Sequence, residues 1–134
     1  MAVTQDNLAT KVVQSDVTSA SWSHTCGGSN KLLLVFVGAN YASTPTVTYN
    51  GSEMTLADKQ DTLNAHKRGV FLYYMVNPPS GTYTVSVTNV NIGYIKAYSV
   101  SLAGVNQSNP LGTVAKTRSG SAGNNPSVSV TSAT

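Results

Sequence analysis

From Thr82 to Thr88 the chain reads Thr-Tyr-Thr-Val-Ser-Val-Thr, which sets Tyr83, Val85 and Val87 on one side and hydroxyls on the other. A repeat of two residues fits a pleated strand with one buried and one solvated face. A helix cannot present that pattern, and no stretch of the chain sustains a 3.6-residue period. Composition agrees: 17 Ser and 16 Thr accompany many Val and Tyr, residues that pack well on pleated sheets. The fold class expected is therefore all-β.

Further segments extend the reading. Thr46–Tyr49, then Asn50-Gly51, then Met54–Leu56 predicts a hairpin, because Asn-Gly favours a two-residue turn with positive φ at both positions. Lys31–Val37 and Val70–Val76 are apolar on both faces, as in central strands, and mark the expected centres of the sheets. Ile92–Leu102 is another long strand, with Tyr94, Lys96, Tyr98 and Val100 in period two. Weaker strands are expected at Ala9–Gln14, Ala20–His24, Thr113–Thr117 and Ser127–Thr131. Asn77–Gly81 reads as a turn, and Gly104–Gly112 and Ser119–Pro126 as loops. About eight to ten short strands, evenly punctuated, predict one antiparallel two-sheet sandwich, Ig-like or jelly-roll-like, across residues 1–134. Val128 and Val130 alternate just before the last residue, Thr134, so the sheet is expected to be finished there, by further chain or by a partner.

Only 10% of residues are charged, and the net charge is +3. The cations are scattered, with Lys67-Arg68 the one adjacent pair, so the clustered footprint of a nucleic-acid binder is missing. Cys26 is the single cysteine and reads as a small buried hydrophobe. Met1–Asp6 has neither the basic nor the apolar region of a signal peptide, and Leu32–Val37 is too short to span a bilayer. Synthesis in a cytoplasm, without membrane association, is expected.

Candidate chemistry is thin. His24 and Cys26 share a strand face, but a zinc site would need His66 and a carboxylate to converge on them. Asp58 and Asp61 lack the alternating oxygen ligands of a calcium loop, and Gly27-Gly28 is not followed by a phosphate-loop pattern. No catalytic residue, metal or cofactor is expected. Among the aromatics, Phe71 with Tyr73 and Tyr94 with Tyr98 stand at core-strand spacing. Tyr41, in the expected loop Gly38–Thr44, is the leading candidate for an exposed contact, accompanied by Asn40, Asn50, Asn106 and Gln107.

Four stretches together resemble a known group: Trp22–Cys26 with Asn30–Leu33, Val47–Gly51 with Met54-Thr55, Leu72–Gly81, and Ser101–Gly112. They are similar to a widespread, poorly characterised β-sandwich domain of bacterial surface proteins and tailed-phage genomes. The resemblance spans Trp22 to Gly112, implies the sandwich, and brings no catalytic residues with it.

A surface rich in Ser, Thr and Asn suits an exposed environment, yet a secretion signal is not expected from Met1–Asp6. Virion proteins combine these traits, being made in the host cytoplasm and released by lysis. The expected function is a bacteriophage structural protein at the virion surface, such as a capsid decoration protein or a head or tail fibre module. Its partners would be capsid or other virion proteins and copies of itself, engaged through a flat sheet face or a strand edge. The alternative is a carbohydrate-binding or host-recognition module with exposed aromatic platforms.

Overall fold

The structure, a computed structural model, describes residues 2–8, 12–61 and 68–117. Those residues form eight strands and no helix: β1 (Thr4–Leu8), β2 (Val12–Val17), β3 (Ala20–Cys26), β4 (Leu32–Tyr49), β5 (Ser52–Glu53), β6 (Thr55–Asp61), β7 (Arg68–Val76) and β8 (Gly81–Ala103). The fold is an antiparallel two-sheet sandwich. Its layers are joined through two long strands, because β4 and β8 bend and each contributes to both.

In the first layer the order is β6-β7-β4-β8, with β1 and β2 along the far side of β8. Here β4 pairs with β8 from Leu32↔Leu102 to Ala39↔Ile95. In the second layer the same two strands pair from Thr46↔Thr88 to Tyr49↔Val85, flanked by β5 and β3. Equal lengths of chain lie between these blocks on both strands, so the bend leaves the register unchanged. Pro45 sits buried at the irregularity, where the ladder is already interrupted and a residue without an N–H does least harm.

The long strands correct three expectations. Gly38–Thr44 is not a loop but the middle of β4. The strands expected at Thr82–Thr88 and Ile92–Leu102 are two halves of β8. The two doubly apolar runs are neighbours in one layer, paired from Leu32↔Val76 to Asn40↔Arg68, rather than the centres of two sheets. Elsewhere, Thr113–Thr117 carries no strand, Ala9–Lys11 and Ser127–Thr131 fall outside the described residues, and Ala20–His24 is confirmed as the body of β3. The Asn50-Gly51 turn forms as expected, with φ of 51° and 75° and Tyr49↔Ser52 closing it. The returning arm, however, is Ser52–Glu53, while Thr55 and Leu56, expected there, pair with Tyr74 and Tyr73 of β7.

The core lies between the layers. Leu33, Val35, Val37, Phe71, Tyr73, Ile95 and Ala97 from the first face Val47, Tyr49, Val85, Val87, Ala20 and Cys26 from the second. Burial of each large side chain among these stabilises the fold by about 1.5–3 kcal/mol before entropy is counted. Tyr73 donates its hydroxyl to Pro45 O, tying the first layer to the bend.

Among the described strands, β5 pairs only with β4, β6 only with β7, and β1, β2 and β3 only with β8. All five acidic residues of the chain stand on these strands: Asp6, Asp16, Glu53, Asp58 and Asp61. Register shifts interrupt β1, β2 and β6 as well. Edge charges and bulges oppose the addition of a foreign strand. Charge and bulges thus guard β1, β2 and β6, and the two-residue β5 carries Glu53, whereas β3 has neither an acidic residue nor a register shift.

Candidate functional site

Two places gather residues able to do chemistry or bind. The first is a polar cluster between the layers. Trp22 Nε1 donates to Ser99 Oγ at 2.9 Å, and Ser99 Oγ lies 2.9 Å from His24 Nδ1. Ser99 Oγ accepts from Trp22, and toward Nδ1 it donates or accepts according to the imidazole tautomer. His24 Nε2 is buried and has no partner among the described residues. Burial lowers the His24 pKa below its ordinary 6.5, while the Asp6 carboxylate pulls the other way. Asp6 in turn accepts hydrogen bonds from Gly27 N and Ser101 Oγ, both at 2.7 Å. Alongside, Tyr49 donates to His24 O and Gly81 O at 3.2 Å.

Ser99 beside His24 has the residue types of a nucleophile and its base. Ser99 is fully buried, however, and His24 is 2% exposed, so no substrate reaches either. Cys26 is 1% exposed and its thiol pKa is pushed up, first by burial, the reverse of an activated thiolate. His24 and Cys26 do share one face, as the spacing predicts, and that face is the core. The cluster clamps β1, β3 and β8 together.

The second place is the outer face of the first layer. Residues at even positions point outward there: Leu34 and Phe36 on β4, Val70, Leu72 and Tyr74 on β7, and Tyr94, Lys96, Tyr98 and Val100 on β8. Phe36 and Tyr98 are register partners whose rings stack, with centroids 4.8 Å apart and planes 15° from parallel. Val70 is 59% exposed, Tyr94 58% and Tyr98 42%. The period of two at Tyr94 and Tyr98 is as expected, but the side is the opposite one. The inward positions of that stretch are Ile95, Ala97, Ser99 and Ser101, because Tyr49, Phe71 and Tyr73 already fill the space they face.

Two features shape this face. Residues 114–116 lie across part of it, over Phe36, Val70 and Leu72, with a space of about 180 Å³ between. Lys116 Nζ fastens the segment by donating to Asp58 Oδ1 at 2.6 Å and Lys59 O at 3.0 Å. Beyond Phe36, toward the bend, Gly38 leaves a groove of about 300 Å³ lined by Asn40, Arg68, Tyr94 and Lys96.

The opposite outer face, on the second layer, is of another kind. Ser21, Ser23 and Thr25 on β3 pair with Ser86, Thr84 and Thr82 on β8, which pairs in turn with Thr46 and Thr48 on β4. Thr25 Oγ1 and Thr82 Oγ1 are hydrogen-bonded at 2.7 Å. The result is a hydroxyl lattice without a charged residue at any of these positions.

The sequence-predicted contact residues do not converge. Asn40 lines the groove on the first layer's outer face. Tyr41 is paired through its backbone with Val90 at the bend. Asn50 is consumed by the hairpin, its N donating to Thr84 O at 3.0 Å. Asn106 Oδ1 accepts from Ser108 N and Asn109 N, folding its own loop. Gln107 Nε2 donates to Lys31 O and Val105 O, which pins that loop to the chain entering β4. Sequence reading missed Lys96 and Tyr94 as surface groups. The signal available was that Lys96 shares its period with Tyr94 and Tyr98, so a lysine on the stripe argued for solvent. Compared with known proteins, the chain matches no family model, no curated protein and no solved structure.

Proposed function

We propose that the chain is a non-catalytic structural protein of a bacteriophage virion, a capsid decoration protein or a head or tail fibre module. In this reading it attaches to a neighbouring virion protein through the outer face of its first layer. The observation that carries the reading is the contrast between the two outer faces. One is a hydroxyl lattice suited to solvent, and the other exposes Val70, Tyr94 and Tyr98 beside Phe36 and Leu72, which residues 114–116 partly cover. Exposed aromatic and apolar groups grouped on one face mark interaction surfaces. Acidic residues and bulges on β1, β2 and β6 make strand addition along the first layer's edges the poorer mode of attachment. Copies on a symmetric lattice would each present the hydroxyl face outward at the virion surface.

The test is cryo-electron microscopy of particles produced by the phage that carries the gene. The expected result is density for the sandwich on the particle exterior, with Phe36 and Tyr98 against a neighbour and Thr84 and Ser86 facing out. Particles that lack the protein contradict the proposal. A second reading, glycan or host-surface recognition, is favoured by the groove beside Tyr94.

A further inference from the structure

Gly38 is a glycine that the fold does not demand. It lies inside β4, paired on both sides, with Lys96 and Val70 as partners. Its φ is not in the positive region, and a Cβ built there would meet only Lys96 O, at an ordinary 3.7 Å. Glycine within a strand weakens it and often marks a bulge, a tight bend or the close approach of a ligand or another backbone. At Gly38 the ladder is regular on both sides, so neither a bulge nor a bend calls for it. What its missing side chain provides is the floor of the groove near the bend.

The groups around that floor are complementary in kind. Tyr94 offers an exposed ring, and Lys96, two residues along the same face, an exposed ammonium. Asn40 is half-buried, and Gly93 makes room for its amide, because a Cβ there would come within 2.4 Å of Nδ2. Arg68 adds a second cation to the lining. The strands that frame the groove, β4, β7 and β8, contain none of the five carboxylates of the chain. An exposed ring takes the C–H face of a pyranose, an oriented amide takes its hydroxyls, and an ammonium takes a carboxylate.

From this we infer that the groove over Gly38 binds one acidic sugar residue of a glycan. The ring would lie on Tyr94, with its carboxylate toward Lys96 and a hydroxyl on Asn40. The inference rests on the glycan-recognition reading and narrows it to uronic-acid-type saccharides; virion attachment does not depend on it.

The test uses the full chain and two probes, a glucuronic acid tetrasaccharide and the matching glucose tetrasaccharide. Binding is followed by calorimetry and by NMR shifts. The expected result is that the acidic probe binds and shifts the amides of residues 38–40 and 94–96. Gly38→Val and Tyr94→Ala then weaken it by at least about tenfold. Gly38→Val should do so with no fall in Tm, since a β-branched residue suits the strand. Lys96→Gln should bring the affinity for the acidic probe down to that for the neutral one. Equal binding of both probes to the unaltered chain overturns the acidic specification and leaves glycan recognition standing. Unaltered binding by Gly38→Val overturns the site. No saccharide binding, or binding of an acidic peptide alone, overturns both.

Discussion

At the residue scale, His24 shows most plainly what the core tolerates. Burial disfavours its charged form and holds its pKa below the ordinary value, and Nε2 has no partner among the described residues. A folded pKa below the unfolded 6.5 means the unfolded chain binds more protons as the pH falls through that region. Stability is therefore full above pH 6.5 and declines below it, until the folded pKa is reached. The slope contributed by this one group is at most about 1.4 kcal/mol per pH unit. Urea unfolding between pH 8 and pH 5 should show that decline, and His24→Gln should flatten it. A slope unchanged in the variant would place the titration elsewhere. Tyr49 gives a second check. Its hydroxyl serves two carbonyls on different strands, and burial raises its pKa above the ordinary value, so it donates as a neutral phenol. Tyr49→Phe is expected to cost about 1–2 kcal/mol in urea unfolding, chiefly by leaving buried carbonyls unsatisfied.

At the element scale, two glycines on β4 and its hairpin predict opposite outcomes. Gly51 has φ of 75° with nothing within 4 Å of a built Cβ, so Gly51→Ala meets only backbone strain. It should lower stability by about 1 kcal/mol. Gly38→Ala, at ordinary φ with space to spare, should raise stability by about 0.5 kcal/mol. Urea midpoints of the two variants falling on opposite sides of the wild type would bear this out; a loss in both would show that Gly38 is needed by the strand. The hairpin was legible because Asn50-Gly51 specifies it locally, and the Thr82–Thr88 faces were legible because alternation does. The continuity of β4 and β8 was not. Gly38, Pro45 and Gly93 look like punctuation in sequence, yet all three lie within long strands. Pro45 and Gly93 fall at the bend, where ladder interruptions accommodate them, and Gly38 in the regular ladder before it. The side taken by Tyr94 and Tyr98 was equally hidden, since a period of two fixes alternation but not which set faces the core. The core's own volume, filled by Tyr49, Phe71 and Tyr73, decided it. Asn50, Asn106 and Gln107 misled because polar loop residues suit contact and turn-making alike, and here the turns use them.

At the scale of the whole molecule, the bent ribbon of β4 and β8 generates the contrast that the proposed function depends on. Folding one ribbon over turns a single pleat into two outer faces, and the sequence dresses them differently. The hydroxyl positions fall on the half after Gly81, the aromatic positions on the half before Ala103. The acidic residues stand on β1, β2, β5 and β6, which discourages pairing along those edges and, in the proposed reading, turns attachment to the aromatic face. The most direct measurement is the amount of protein retained on purified phage particles assembled with altered chains. Phe36→Ser with Tyr98→Ser should cut occupancy by at least about tenfold while the soluble chain still folds. Thr84→Ala with Ser86→Ala should leave occupancy unchanged. Loss of the protein with the hydroxyl-face variant and its retention with the aromatic-face variant would contradict the account.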